Sequence, residues 1–157
     1  MVVDDLGATP AELFRRYGPE LMRFATGLVG RQDAEDVFSQ ALTKALAAPR
    51  FSSIANPRAY LYRAVFNEAN TWRRRLSMRG SVEARAALAG YHEDTLPRLD
   101  VIEAVLKLST RQRAAVLLTY WADLSPAGVA DRLGTSEGSV RRHLARARAH
   151  LRRILDE

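Results

Sequence analysis

Cysteine is absent from this 157-residue sequence, so neither a disulfide nor a thiolate metal site can contribute to it. Histidine occurs three times only: His92 falls in a loop-like stretch, and His143 and His150 stand seven apart on a basic helix, a spacing that clamps no metal. No run of about 18 apolar residues could span a membrane and no signal peptide opens the chain, so the expected compartment is the cytoplasm. A phosphate-binding glycine loop, a metal-ligand cluster and a nucleophile beside a base are also missing. These absences argue against a nucleotide or nucleic-acid enzyme, against a small-molecule substrate and against any cofactor. Lysine is scarce as well. Of 24 basic residues only Lys44 and Lys107 are lysine, and the other 22 are arginine.

What is present is a foldable, basic, helix-forming chain. Hydrophobic residues make up 47%, charged residues 27%, and the net charge is +6 with a pI near 10.3. The arginine fork suits phosphates and guanine edges, although an Ala- and Arg-rich genome would give the same bias. Charge is uneven: residues 1–50 sum to −1, 58–79 to +5, 80–100 to −2 and 136–153 to +5. Two basic blocks around an acidic spacer suggest two separate phosphate-facing surfaces.

Helical spacing dominates and no alternating strand pattern stands out. Thr9-Pro10-Ala11-Glu12 offers a capping box with Pro at the first helical position, and Leu13, Tyr17, Leu21, Phe24 and Leu28 follow until Gly30. A second helix is expected after Asp33, running to about Ala48 with Val37, Ala41, Leu42 and Ala45 inward, and Pro49 stops it. Asn56-Pro57 opens a third, to about Met78, with Leu61, Val65, Ala69, Trp72 and Leu76 on its core side. On its other side Arg63, Asn67, Asn70 and Arg74 make one polar row by 4-3-4 spacing, with Tyr60 and Phe66 on its borders. Residues 77–99, punctuated by Gly80, Gly90 and Pro97, lose the periodicity and read as a linker.

Three or more helices follow. Asp100 and Glu103 suit the start of one, Ser109-Thr110-Arg111-Gln112 is a capping box for the next, which carries Val116, Leu117 and Tyr120, and Ser125-Pro126 opens a short one. Gly134 permits a tight turn, and Ser136 caps a last helix whose Val140, Leu144, Ala147, Leu151 and Ile154 form a buried seam. A short helix, a glycine turn and a basic helix constitute a helix-turn-helix, in which the second helix enters the major groove. With the seam inward, Ser139, Arg142, Arg146 and Arg153 point out and Arg141 and Arg152 flank them. Residues near the helix start, Ser136 and Ser139 among them, are placed to read bases, and the later arginines to hold phosphates.

The upstream half carries a resemblance. Asp33-Ala34-Glu35-Asp36-Val37 resembles the acidic helix that extracytoplasmic-function (group IV) members of the sigma-70 family present to core RNA polymerase. Asn56 to Arg63, with Asn67 and Arg73-Arg74-Arg75, is similar to their promoter-melting helix. Leu108-Ser109-Thr110-Arg111-Gln112-Arg113, Leu124-Ser125, Val129-Ala130 and Gly134 to Val140 are similar to their second domain, completed by Arg146-Ala147-Arg148-Ala149 and Leu151. The likeness runs in order from about residue 11 to 155.

It implies an all-α fold of two small domains: region 2 (1–78), a flexible linker (79–99) and region 4 (100–157). The implied function is that of an alternative sigma factor with no covalent chemistry of its own. Asp33, Glu35, Asp36 and Gln40 would meet core polymerase, although acidic groups in a first turn also favour the helix dipole. Tyr60, Arg63, Phe66, Asn67, Asn70 and Arg74 would take the single strand of the −10 element, with core packing the competing reading for the aromatics. Ser136, Ser139, Arg141, Arg142, Arg146 and Arg153 would bind the −35 duplex. Core polymerase, promoter DNA and an anti-sigma factor are the implied partners, with the chain a monomer in the holoenzyme. Departures occur at Ser39-Gln40, Leu46, Thr71, Pro126 and Gly128. The rival reading is a stand-alone helix-turn-helix regulator of the response-regulator type, which would be a dimer on a two-fold operator and leaves Asn56 to Arg75 without a task.

Overall fold

The computed structural model describes residues 5, 7–49, 51–78 and 104–156, and every regular element among them is helical. The expected linker and the helix start expected at Asp100 lie outside the described residues. Helix α1 (Pro10–Val29) opens on the capping box: Thr9 Oγ1 accepts from the Glu12 N–H at 3.2 Å, and the Glu12 carboxylate accepts from the Thr9 N–H at 2.8 Å. Its inward face carries the expected Leu13, Tyr17, Leu21, Phe24 and Leu28, all buried.

Gly30 both ends α1 and starts α2 (Arg31–Leu46), and its φ of 89° is a value that glycine adopts without a Cβ clash. Because one residue makes the whole corner, α2 begins two positions before Asp33, contrary to the expected start after it, and Asp33 lies within its first turn. Val37, Ala41, Leu42 and Ala45 are buried as expected. A short 3₁₀ turn (Phe51–Ser53) leads to α3 (Pro57–Met78), where the Asn56 side chain accepts from the Ala59 N–H at 3.1 Å. These three long helices pack on one another, with the Phe24 and Tyr62 rings 5.1 Å apart at their centre.

The second unit is built from shorter pieces. Helix α4 (Thr110–Val116) carries the Ser109–Gln112 capping box and widens into a π turn over Leu117–Trp121. The wider turn rotates Leu118 into the core and leaves Tyr120, expected to travel with the apolar residues of this helix, largely exposed. Helix α5 (Pro126–Leu133) is capped by Ser125 and ends at Gly134 in the left-handed conformation (φ 65°, ψ 41°). Helix α6 (Glu137–Leu155) starts with Ser136 Oγ accepting from the Ser139 N–H, and Val140, Leu144 and Ala147 are buried along its seam. Leu151 and Ile154 are half-buried.

The two units share a core. Ala114, Ala115, Leu118, Val129 and Ala130 of the second belong to the same buried cluster as Leu28, Leu61, Val65 and Ala69 of the first. Apolar burial drives this docking, but its centre is polar. Arg113 is 0% exposed and donates to the carbonyl of Leu28 at 2.9 Å, as well as to those of Val105 and Leu106. Leu28 lies in the last turn of α1, where carbonyls lack helical partners, so the guanidinium satisfies a group that burial would otherwise orphan.

Candidate nucleic-acid interface

α5, the Gly134 turn and α6 form the helix-turn-helix. The seam fixes the roll of α6, so Arg141, Arg142, Arg146 and Arg153 are all exposed, as the heptad-like spacing requires. Ser139 is half-buried, and Ser136 is occupied in capping. Arg141 pairs with Glu137 at 3.2 Å across one turn, and Arg153 lies 3.2 Å from His150 Nδ1. Arg148, not singled out from the sequence, donates twice to Tyr120 Oη, at 2.6 and 2.9 Å. His143 sits half-buried in this arginine-rich face. Burial, followed by the charges of Arg111, Arg146 and Arg142, holds its pKa below the ordinary histidine value, so it adds no charge to the face at neutral pH.

On α3 the polar row is brought together as its spacing requires: Asn67 and Arg74 exposed, Arg63 and Asn70 half-buried. A groove of about 430 Å³ runs beside it between α2 and α3, lined by Tyr60, Arg63, Asn67, Glu68 and Thr71. Its edge is tied by Lys44 Nζ on the Glu68 carboxylate at 2.7 Å. Tyr60 is half-buried against Phe51, ring centres 6.0 Å apart, with one side on the groove. Phe66 is 7% exposed and belongs to the core, so the packing reading holds for it and no base reaches its ring in this conformation. The groove thus has parts that could receive an extruded base: an aromatic wall, an amide that donates and accepts, and the Arg63 guanidinium.

The acidic residues fall on α2. Asp33, Asp36 and Gln40 follow 3-4 spacing along one face with Glu35 beside them; Asp33 is half-buried and the other three are exposed. Burial, and then the Asp36 carboxylate, raise the pKa of Asp33 above the usual aspartate range.

Contacts that sequence reasoning missed lie where the units meet. Arg63 Nε and Nη2 donate to the main-chain carbonyl of Asp131 at 3.2 and 3.0 Å, and Asn56 Nδ2 donates to the Asp131 carboxylate at 3.1 Å. Arg73, its pKa lowered by burial, donates to Thr110 Oγ1 at 3.1 Å and to the Leu108 carbonyl at 3.2 Å. For both arginines an acceptor is a main-chain carbonyl, which no letter of the sequence marks.

A helix-turn-helix with a guanidinium face, coupled to a helical unit bearing an amide-and-arginine row on a groove, defines a DNA-reading transcription protein. Residues 13–79 match the family model for sigma-70 region 2, and residues 98–151 match that for sigma-70 region 4. The chain is 31% identical over 152 residues to an RNA polymerase sigma-E factor of Streptomyces antibioticus, covering 92% of this chain and 83% of that protein. It is 34% identical over 157 residues to the extracytoplasmic-function sigma factor SigM of Mycobacterium tuberculosis, covering 92% and 76%. Among solved structures it is similar to the sigma factor RpoE of Bartonella quintana in complex with the anti-sigma factor NepR, with a TM-score of 0.63, 25% identity and coverage of 93% and 96%. CnrH in complex with the cytosolic domain of CnrY gives the same score and identity, with coverage of 94% and 87%. The chain belongs to the extracytoplasmic-function branch of the sigma-70 family and acts as an alternative sigma factor in transcription initiation.

Proposed function

We propose that residues 1–78 bind core RNA polymerase and capture the −10 element, that residues 100–157 grip the −35 duplex, and that residues 79–99 connect them. Asp33, Glu35, Asp36 and Gln40 form the polymerase face on α2. Tyr60, Arg63, Asn67, Asn70 and Arg74 take the non-template strand along the α3 groove, and Phe66 supports them from the core. Ser136, Ser139, Arg141, Arg142, Arg146 and Arg153 contact the duplex, bases toward the start of α6 and phosphates toward its end. The chain performs no bond chemistry, because polymerase supplies the active site. It works in the cytoplasm as a monomer in the holoenzyme, and an anti-sigma factor holds it when polymerase is absent; the sigma–anti-sigma complex among its structural neighbours supports that partner.

The observation that carries this reading is the coincidence of two DNA-facing surfaces of different chemistry on one chain. The α6 face is built of arginines for duplex, and the α3 row is built of amides and an aromatic for unpaired bases. A stand-alone regulator needs only the first. Run-off transcription by core polymerase from the same host, with and without the protein on pooled genomic fragments, tests the reading. Protein-dependent starts sharing two upstream boxes are expected. No dependent start, together with dimeric binding to duplex DNA by the protein alone, would replace it with the regulator.

A further inference from the structure

We propose that the cavity where α1, α3, α5 and the end of the π turn meet is a binding site for a small phosphate-bearing molecule. Glu20 and Arg23 of α1, Arg58 and Tyr62 of α3, Trp121 and Arg132 of α5 line it. Its volume is about 270 Å³, close to the small end of the range of about 300–1,000 Å³ usual for ligand pockets. None of these six residues belongs to the proposed DNA or polymerase surfaces, so the site stands apart from that reading. Three guanidiniums share the lining with one carboxylate, an excess of two positive charges. A phosphate monoester carries about −1.5 to −2 at neutral pH, which matches that excess.

Much of the positive charge is left unspent by the protein itself. Glu20 is already engaged: one carboxylate oxygen accepts from Arg58 Nη2 at 2.6 Å and from the Tyr62 hydroxyl at 3.1 Å. Arg132 reaches an acid only at 3.6 Å, and that acid, Asp131, also serves Asn56 and Arg63. Arg23 meets no carboxylate among the described residues; its guanidinium stands over the Trp121 ring, 5.5 Å from the centre. The Nε atoms of Arg58 and Arg132 are buried and meet no acceptor among the described residues. A buried donor without a partner costs free energy, and so does holding like charges together. An anion in the cavity relieves both costs. Phosphate suits the site better than a carboxylate does, because its several oxygens can be shared among forks arriving from three helices. Trp121, 49% exposed, adds an indole face on which a planar substituent of the phosphate can stack.

The sequence has two tryptophans, so Trp72→Phe leaves Trp121 as the sole indole and makes its emission a local readout. The full chain with that change is titrated with inorganic phosphate in a phosphate-free buffer. A saturable change in Trp121 emission is expected, absent from a chloride titration at the same ionic strength. Arg23→Gln, at an exposed position, should weaken phosphate affinity about tenfold. Arg15→Gln removes an equal charge at an exposed position of the same helix outside the cavity, and should change affinity less than about twofold. Because Arg23 itself touches the indole, titration calorimetry on the same variants gives the affinities independently of emission. Arg132→Lys keeps the charge but withdraws the fork, and should weaken binding as well. Adenosine monophosphate separates the sources of the phosphate. Tighter binding than inorganic phosphate assigns a nucleotide with its base on the indole; equal or weaker binding assigns the phosphate group alone, and both support the site. No saturable binding of either probe, or equal affinity in Arg23→Gln and Arg15→Gln, would overturn it.

Discussion

Arg142 is the arginine of α6 nearest the capped end among the fully outward positions, apart from Arg141, which is already paired with Glu137. Arg142→Ala should weaken −35 duplex binding by about 1–3 kcal/mol and flatten its sequence preference, measured by titration against variant sites. A uniform loss on every sequence would make it a phosphate contact instead. Asp33 makes a different kind of prediction. Its folded pKa is raised, so the folded chain holds the proton to higher pH than the unfolded chain does. The stability linked to it is full below the unfolded pKa and is lost as pH rises through the folded value, so at neutral pH the ionised carboxylate weakens the fold. Asp33→Asn should raise Tm at pH 7 while weakening binding to core polymerase; a lower Tm would show that α2 needs the charge for its helix dipole. Residues of this kind were legible in the sequence because spacing alone sets which way they point. The arginines of α6 and the row on α3 follow from helical period, whereas the burial of Phe66 depends on where α3 rolls against its neighbours, which no single helix determines.

At the level of elements, the capped starts were the most legible features, since Thr9, Ser109, Ser125 and Ser136 act within three residues of themselves. The π turn at Leu117–Trp121 was not, because one residue more per turn leaves no mark in a helical pattern until the outward Tyr120 and Trp121 reveal the shift. The short helix α5 carries a propensity cost that can be tested. Gly128 has ordinary helical geometry, and a Cβ there would meet Leu124 Cβ at 3.4 Å, an ordinary van der Waals approach. Gly128→Ala should therefore stabilise the protein by about 0.5–1 kcal/mol, read from urea or thermal unfolding. Destabilisation would mean that the added methyl group does not pack against Leu124.

The whole molecule is where the sequence was least informative. Its two basic blocks suggested separate surfaces, and nothing in the letters showed that Arg63, Arg73 and Arg113 would each reach a main-chain carbonyl across the junction. Arginine can serve phosphate, carboxylate or carbonyl with the same fork, so its identity does not disclose its partner. Arg113 is the deepest of the three and the one least suited to exchange: it is wholly buried and bridges the last turn of α1 to the segment before α4. Arg113→Met keeps much of the side-chain volume but withdraws the donor from the Leu28, Val105 and Leu106 carbonyls. It should cost about 2–4 kcal/mol, because one buried and two part-buried acceptors lose a charged donor together. The form of unfolding is the more telling readout. If Arg113 couples the two units, the wild type should melt in one calorimetric transition and Arg113→Met in two, the first belonging to the smaller second unit. A single transition at lower temperature in the variant would place the coupling in the shared apolar core, around Ala114, Ala115, Leu118 and Val129, and leave Arg113 as a cap for α1.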